Sequence, residues 1–294
     1  MTAYGSIEAG GTKFVLAVAD EKLRIVKRKQ IKTSTPPETL QDCIDFFTEY
    51  PVDALGIGSF GPADIIVGSP RYGHILNTPK PGWTNTDIVG AIENAHHVPV
   101  FFTTDVNASA YGEYMSWQNE GIKSLVYFTI GTGIGGGAIQ NGHFIGGMAH
   151  LEMGHTAVRA FPGDDFEGVC PYHGNRCFEG MASGPAIAAR TGIPGEQLDR
   201  SNPVFRLISY YVAQLTFDAY LNLAPAKIVI GGSVVSETEL PQIYEDFNGL
   251  NAGYVNTPAL SDLIVLSRVP NNGSATMGDF ALAKQMLASA HALK

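Results

Sequence analysis

Two glycine-rich turns, each placed between two apolar segments, constrain the fold of this chain more than any other feature. The first turn is Glu8-Ala-Gly-Gly-Thr-Lys13, and the second spans residues 131–137. An apolar run on both sides of a glycine turn is typical of a β-hairpin. Because the same arrangement opens each half of the chain, we predict two related α/β domains with a boundary near residue 118.

The remaining pattern is that of alternating helices and buried strands. We assign residues 1–117 to the first domain and 118–274 to the second, and we expect the C-terminal helix, 275–294, to pack back on the first domain. Apolar spacing and turn residues predict helices over 36–50, 106–117 and 203–223 and a helix from Ser183, with strands over 25–33, 54–57, 98–102 and 227–230.

Charge and composition exclude several classes of protein. The chain has 294 residues, 45% of them hydrophobic, and a formal net charge of −9, which argues against a nucleic-acid partner. Its three cysteines are too few for a disulfide framework, and neither a signal peptide nor a membrane-spanning run is evident. We therefore expect a cytoplasmic protein that has no membrane partner.

Neither glycine turn belongs to a helix-based nucleotide motif. Residues 131–136 match G-x-G-x-x-G, but a strand and an Asn141-Gly142 hairpin signal follow instead of a helix. Lys13 is likewise followed by a strand, which excludes a Walker A loop. A glycine hairpin tip can still direct successive backbone N–H groups at one anion, and Thr12 and Thr132 add hydroxyl donors. Two such tips could hold a nucleoside triphosphate. The alternative is a pair of tight turns, for which one glycine each would suffice.

Asp105 follows a buried strand and is the candidate catalytic residue. Open α/β sheets place ligand-binding groups just past the carboxyl ends of their strands, and a carboxylate there could accept the proton of an attacking hydroxyl. The local sequence supports equally well the alternative that Asp105 only N-caps the helix beginning near Val106.

Four residues of a Gly/Pro-rich loop, 155–180, have the composition of a zinc site: His155, Cys170, His173 and Cys177. Two thiolates and two imidazoles at short spacing suit a tetrahedral Zn²⁺, and four protein ligands make such a site structural. The alternatives are a Cys170–Cys177 disulfide and ordinary loop residues.

Together these motifs resemble the ROK family of bacterial sugar kinases, and two stretches, 77–83 and 166–173, resemble its fructokinase branch. The motifs that carry the resemblance are Glu8–Lys13, Thr104-Asp105-Val-Asn107, Gly131-Thr-Gly133, Glu152-Met-Gly-His155 and Cys170–Glu179. The resemblance implies an actin-like, ribonuclease-H-like ATPase fold of two α/β domains with the active site in the cleft between them. It also implies ATP and Mg²⁺ as co-reactants.

The resemblance also implies roles for individual residues. Asp105 would be the general base. Nucleotide contacts would come from Gly10, Gly11, Thr12, Lys13, Gly131, Thr132, Gly133, Gly231 and Gly232, although a tight turn explains Gly231 and Gly232 nearly as well. Sugar contacts would come from Asn77, Asn107, Glu152, His155 and Glu179. Glu8 would lie near Mg²⁺. Three positions depart from many relatives: Thr104 stands for Asn, Glu8 for Asp, and Lys80 for Asn.

The expected function is ATP-dependent phosphorylation of a hexose, with D-fructose to fructose 6-phosphate as the first candidate. The expected partners are the sugar and ATP, and a homodimer is left open. Kinases for mannose, glucose or an amino sugar are close alternatives. A non-catalytic, sugar-responsive binding protein on the same scaffold is the alternative from another class.

Overall fold

The computed structural model describes residues 2–292, which form two compact units. Unit 1 contains residues 2–117, 144–150 and 269–292, and unit 2 contains residues 118–143 and 151–268. Residues 144–150 and 269–274, which the sequence analysis assigns to the second domain, thus cluster with unit 1. Of the predicted C-terminal helix, residues 293 and 294 lie outside the described part of the chain.

Each unit is built on one five-stranded sheet with helices packed against it. The strands are β1 (Tyr4–Ala9), β2 (Lys13–Ala19), β3 (Ile25–Lys32), β4 (Ala54–Ser59), β5 (Val100–Thr104), β6 (Ser124–Ile130), β7 (Ile134–Gln140), β8 (His143–Phe144), β9 (Lys227–Gly232) and β10 (Ile264–Leu266). The α-helices are α1 (Pro36–Glu49), α2 (Ile88–His96), α3 (Asp105–Trp117), α4 (Phe178–Ala182), α5 (Gly184–Thr191), α6 (Val204–Leu223), α7 (Leu240–Asn251), α8 (Leu260–Leu263) and α9 (Ser274–Ala292).

The two sheets have the same strand order. In unit 1 it is β3-β2-β1-β4-β5, and in unit 2 it is β8-β7-β6-β9-β10. In both, an antiparallel hairpin (β1–β2 or β6–β7) is extended by a parallel strand, β4 beside β1 and β9 beside β6. The prediction that both halves begin with a related strand–turn–strand unit is confirmed at the level of topology.

Side-chain alternation on β1 distributes the core of unit 1 over both faces of its sheet. Ile7 and Ala9 belong to an apolar cluster with residues of α1 and α2. Tyr4 belongs to a second cluster with Phe280 and Ala283 of α9, and Ser6 donates a hydrogen bond to Asp279 on the same helix. Because successive side chains of a strand point to opposite faces, helices cover both sides of the sheet. Helix α9 therefore contributes to unit 1.

Several element boundaries differ from the sequence prediction. Strand β5 covers residues 100–104 instead of 98–102. The helix expected from Ser183 is present as α5, and Ser183 caps it through its hydroxyl, which accepts from Ala186 N–H. The short helix α4 before it was not predicted. Helices α2, α7 and α8 and strand β10 were not predicted. Within residues 2–292, no helix combines the length and apolarity needed to cross a membrane.

The largest correction concerns the turn predicted over residues 131–137. Only Gly131–Gly133 form the turn, and Gly135, Gly136 and Gly137 lie in strand β7, opposite Thr129, Phe128 and Tyr127. A Cβ on Gly136 would lie 2.8 Å from the Cβ of Met153. The strand glycine therefore makes room for the short 3₁₀ helix Met153–His155, and close backbone packing explains it without a ligand.

Candidate active site

Parallel strands of unit 1 end at a common edge that carries two carboxylates. Ala9 of β1 is in register with Ser59 of β4, which is in register with Thr104 of β5. Glu8 lies one residue before this edge and Asp105 one residue after it. Asp105 therefore lies just past the carboxyl end of a strand, where open α/β sheets place ligand-binding groups.

The cap of α3 is provided by Thr104. Its Oγ1 accepts from the N–H of Asn107 at 3.1 Å, which is the i to i+3 bond of an N-cap. Asp105 is the first residue of the helix, and its Oδ1 accepts from the N–H of Val106 at 2.9 Å. The N-cap of α3 is thus the hydroxyl of Thr104, and not Asp105 as one alternative proposed. Helix capping therefore does not explain why residue 105 is an aspartate.

Asn107 and Asn77 have very different environments. Asn107 is 3% exposed, and its Nδ2 donates to Thr103 Oγ1 at 3.0 Å. Its amide nitrogen is therefore engaged inside unit 1. Asn77 lies in an exposed loop between β4 and α2, close to Lys80. Of the two asparagines predicted to contact sugar, only Asn77 presents an exposed side chain.

A buried aspartate that the sequence analysis missed lies behind this acidic edge. Asp279 of α9 is 0% exposed, and its Oδ2 accepts from Ser6 Oγ at 2.9 Å. Its Oδ1 has no hydrogen-bond partner among the described residues. Burial, followed by the negative charges of Glu8 and Asp105, raises the pKa of Asp279 well above its usual value. The signal in the sequence was an aspartate within an otherwise apolar helical run.

The pKa of Glu8 is also raised, because burial outweighs the opposing charges of Arg28 and Lys13. Glu8 and Asp105 are the kind of oxygen donors that Mg²⁺ takes in proteins. The acidic edge therefore fits a divalent cation chemically.

The two glycines of the tip between β1 and β2 have different surroundings. Gly10 donates its N–H to the carbonyl of Lys13 at 3.0 Å, and a Cβ on Gly10 would lie 2.6 Å from that oxygen. At Gly11 a Cβ would meet nothing within 4 Å. The turn thus accounts for Gly10 but not for Gly11. Thr12 is exposed, and Lys13 is the first residue of β2.

The two glycines of the tip between β6 and β7 differ in the same way. A Cβ on Gly133 would lie 2.6 Å from Glu179 Oε2, whereas a Cβ on Gly131 would meet nothing within 4 Å. One glycine in each tip is therefore explained by packing, as two tight turns would require. The second glycine of each pair, Gly11 or Gly131, has no such explanation in the fold, which is what ligand contact predicts.

The four predicted zinc ligands lie together in unit 2. One potential ligand atom from each of His155, Cys170, His173 and Cys177 falls within 4.8 Å of all the others. Cys170 Sγ is 3.6 Å from His173 Nδ1 and 3.8 Å from His155 Nδ1, and Cys177 Sγ is 3.8 Å from His155 Nδ1. Zn–S and Zn–N bonds of about 2.3 and 2.1 Å in a tetrahedron place S and N ligands about 3.6 Å apart. The donor set and its spacing therefore fit zinc.

The alternatives for this cluster are less well supported. Cys170 and Cys177 are free thiols and are not joined by a disulfide. Burial raises the pKa of the Cys177 thiol to about 11, and a bound cation would release that proton.

Two further carboxylates belong to the surroundings of this cluster. Glu179 Oε1 is 3.8 Å from His155 Nε2, and Glu179 Oε2 accepts from the N–H of Ile134 at 3.1 Å. Glu152 is exposed and precedes the 3₁₀ helix that carries His155. The structure therefore brings Glu179 next to His155, a predicted zinc ligand, and also next to the glycine tip, and the second contact was not predicted.

A cavity of about 310 Å³ opens beside the same tip in unit 2. Its lining is Gly131, Thr132, Gly184, Pro185, Ile187, Ala188, Pro194, Gly195, Glu196, Arg200, Phe205, Ser233 and Val234. Apolar walls with a few polar groups suit a planar heterocycle and its sugar. Apart from Gly131 and Thr132, none of these residues was predicted, since they come from separate segments between residues 184 and 234.

Gly231 and Gly232 are required by the fold itself. A Cβ on Gly231 would collide with the hydroxyl of Tyr127, and Gly232 has a φ of +88°. They do not line the cavity, whereas the next two residues, Ser233 and Val234, do. The turn interpretation accounts for both glycines without a ligand, and the nucleotide contact expected of them stays a prediction.

Comparison with known proteins identifies the family of the chain. The model of the ROK family matches residues 4–286, and the chain belongs to this family. Its curated relatives include a fructokinase of Lactococcus lactis subsp. cremoris, 50% identical over 95% of this chain and 96% of that protein. A fructokinase of Streptococcus mutans is 48% identical over 97% of this chain and 98% of that protein.

Solved structures show the same fold. The ROK hexokinase of Thermus thermophilus has a TM-score of 0.79 at 22% identity and covers 98% of this chain and 100% of its own. A ROK glucokinase of Streptomyces griseus, solved in complex with glucose and AMPPNP, has a TM-score of 0.71 at 24% identity and covers 97% of this chain and 99% of its own. The predicted family and the two-domain α/β kinase fold are thereby confirmed.

Proposed function

We propose that the chain transfers the γ-phosphoryl group of ATP to the 6-hydroxyl of D-fructose. The observation that carries the proposal is the identity of 50% and 48% to two fructokinases over nearly the whole of each chain. The residues of the candidate site supply the groups that phosphoryl transfer needs: a carboxylate, two glycine tips and a cavity for the nucleoside.

Asp105 would accept the proton of the attacking hydroxyl as the new O–P bond forms. Its place at the start of α3, after β5 and with the helix capped by Thr104, supports this role because the carboxylate is held by backbone on a rigid element. Mg²⁺ accompanying the triphosphate would neutralise phosphate charge, with Glu8 as the nearby acidic group.

The nucleotide would bind through backbone at Gly11 and Gly131, whose missing side chains the fold does not require. The base and ribose would occupy the cavity of about 310 Å³ next to Gly131 and Thr132. Asn77, Glu152, His155 and Glu179 would recognise sugar hydroxyls, since each can form polar contacts and a carboxylate accepts several short O–H···O⁻ bonds.

Zinc bound by His155, Cys170, His173 and Cys177 would have a structural role. Four protein ligands complete its tetrahedron and leave no position for substrate. Its contribution would be to order the loop 155–180, which contains few apolar residues, and to fix the ring of His155.

A coupled assay of ADP release across a panel of hexoses tests the proposal. We expect the highest kcat/KM with fructose, lower values with mannose and glucose, and the lowest with N-acetylmannosamine. A preference for one of the other sugars would identify a different kinase of the same family. Absence of ADP release with every sugar, despite tight sugar binding, would identify a non-catalytic sugar-binding protein.

A further inference from the structure

Glu179 connects the cysteine–histidine cluster to the glycine tip at 131–133. One carboxylate oxygen, Oε2, accepts from the N–H of Ile134 at 3.1 Å, directly after the tip. The other, Oε1, lies 3.8 Å from Nε2 of His155. A Cβ on Gly133 would lie 2.6 Å from Glu179 Oε2, so the glycine leaves room for the carboxylate against the tip. A single side chain therefore lies against a zinc ligand and against the tip.

The backbone around Glu179 makes a second connection. Helix α4 begins directly after Cys177, whose Sγ accepts from the N–H of Gly180 at 3.5 Å. At the start of α5, the N–H of Gly184 donates to the carbonyl of Gly131 at 2.7 Å. The segment 177–184 thus carries a metal ligand at one end and hydrogen bonds to the tip along its length. A displacement at Cys177 must be taken up within these eight residues.

The tip in turn forms part of the cavity. Gly131 and Thr132 line it together with Gly184, so the hydrogen bond between Gly184 and Gly131 lies in its wall. A tip that shifts or loosens would alter the cavity that the proposed function assigns to the nucleotide. Hydrogen bonds to a carboxylate are stronger than those between neutral groups, which makes Glu179 the firmer of the two connections.

We infer that Glu179 is a positioning residue for the nucleotide. It couples the binding of zinc by the cysteine–histidine cluster to the conformation of the turn at Gly131–Gly133. The inference rests on the proposed function and adds to the sugar contact expected of Glu179. Zinc that holds His155 and Cys177 fixes Glu179, and Glu179 fixes the tip. Because coupling between two binding sites is reciprocal, zinc strengthens nucleotide binding and the nucleotide strengthens zinc binding by the same factor.

The test measures ADP binding by calorimetry in the absence of sugar, on zinc-loaded protein and on protein stripped with a zinc-selective chelator and desalted, at equal Mg²⁺. We expect the loaded protein to bind ADP at least about 5-fold more tightly than the stripped protein, the lower end of usual coupling between sites. Zinc-loaded Glu179→Ala binds ADP as weakly as stripped wild type, with its zinc content unchanged. Glu179→Gln keeps an acceptor oxygen and retains most of the affinity.

Glu167→Ala is the matched control, because Glu167 is an exposed residue of the same loop. It should bind ADP as wild type does. Hydrogen exchange of the Ile134 amide gives a readout that does not depend on activity: exchange should be faster in Glu179→Ala and in stripped wild type. If Glu179→Ala does not fold, the wild-type comparison and Glu179→Gln still decide the outcome.

Two results would overturn the inference. One is unchanged ADP affinity in Glu179→Ala together with a higher KM for the sugar, which would restrict Glu179 to sugar binding. The other is equal Ile134 exchange in loaded and stripped wild type, which would show that the metal does not act on the tip. Failure of the proposed function is distinguishable, since it would appear as no ADP binding or no ADP release by zinc-loaded wild type.

Discussion

Ser6 on the first strand and Asp279 on the last helix are joined by a hydrogen bond of 2.9 Å between the serine Oγ and the aspartate Oδ2. The same aspartate is fully buried, and its Oδ1 is without a hydrogen-bond partner among the described residues. Burying a carboxylate with only one partner is costly, so the protein should hold Asp279 in its protonated, neutral form.

Asp279→Asn should therefore be as stable as wild type at low pH and more stable at neutral pH. A carboxyl group whose pKa is raised on folding stabilises the folded state below its unfolded pKa, near 4, and loses that contribution as pH rises toward its folded pKa. The asparagine does not titrate. The difference in free energy of unfolding should grow by up to about 1.4 kcal/mol per pH unit in this interval.

Urea denaturation at pH 5, 6, 7 and 8 measures this difference. Asp42→Asn is the matched control, since Asp42 is exposed on α1, and its difference from wild type should not change with pH. Parallel curves for wild type and Asp279→Asn would show that Asp279 is ionised in the folded protein.

Asp105→Asn should lower kcat by about 10²- to 10⁴-fold, the usual contribution of a general base. Asparagine keeps the size of the side chain and removes its ability to accept a proton at neutral pH. Because the cap of α3 is formed by Thr104, the helix should remain intact. ADP affinity, measured by calorimetry, should stay within about 2-fold of wild type. Full activity in this variant would exclude Asp105 as the base.

Gly131→Ala should weaken nucleotide binding and leave the fold unchanged. An added Cβ meets nothing within 4 Å in the protein, so the melting temperature should change less than it does for most substitutions. A phosphate bound at the tip would meet the new methyl group. We expect the KM for ATP to rise about 10-fold, corresponding to about 1.4 kcal/mol. Steady-state kinetics at saturating fructose measure this KM.

Two other glycines serve as comparisons for Gly131. Gly147→Ala also adds a Cβ to open space, and it should change neither stability nor the KM for ATP. Gly133→Ala places its Cβ 2.6 Å from Glu179 Oε2 and should lower the melting temperature. An unchanged KM in Gly131→Ala would mean that this turn does not contact the phosphates.

Cys177→Ser should abolish stoichiometric zinc binding and lower thermal stability. The hydroxyl of serine is a poor replacement for a thiolate in a tetrahedral zinc site, and metal binding supplies folding energy to a loop of this kind. Atomic absorption on the purified protein measures zinc, and a thermal melt measures stability. The expected zinc content falls from about one per chain to well below one.

Cys43→Ala is the control for this variant, because Cys43 is a buried cysteine of the apolar core of unit 1. It should lose stability through packing alone and keep its zinc. Equal zinc content in Cys177→Ser and Cys43→Ala would contradict the assignment of Cys177 as a ligand.

The sequence predicted best those elements that depend on local pattern. Helix α6 covers residues 204–223, within one residue of the predicted 203–223. Asn141-Gly142 forms a turn with both residues at positive φ, because asparagine and glycine accept the left-handed backbone that a two-residue hairpin turn requires. The short spacing of Cys170, His173 and Cys177, which lie within eight residues, predicted for the same reason that they lie close together, and they do.

What the sequence did not predict depends on residues that are distant in the chain. Gly136 could not be separated from the turn glycines, since the reason for it is Met153 on another segment. The environment of Asp279 depends on Ser6, which lies 273 residues earlier. The hydrogen bond from Ile134 to Glu179 spans 45 residues, and no periodicity or composition reports such a pairing.

The position of α9 in unit 1 has a consequence for the order of events during synthesis. The strands that carry Glu8 and Asp105 are translated before every segment of unit 2, but the helix that covers one face of their sheet is translated after them. Unit 1 therefore completes its core only after the segments of unit 2 have been synthesised, against the usual N-to-C order of domain folding.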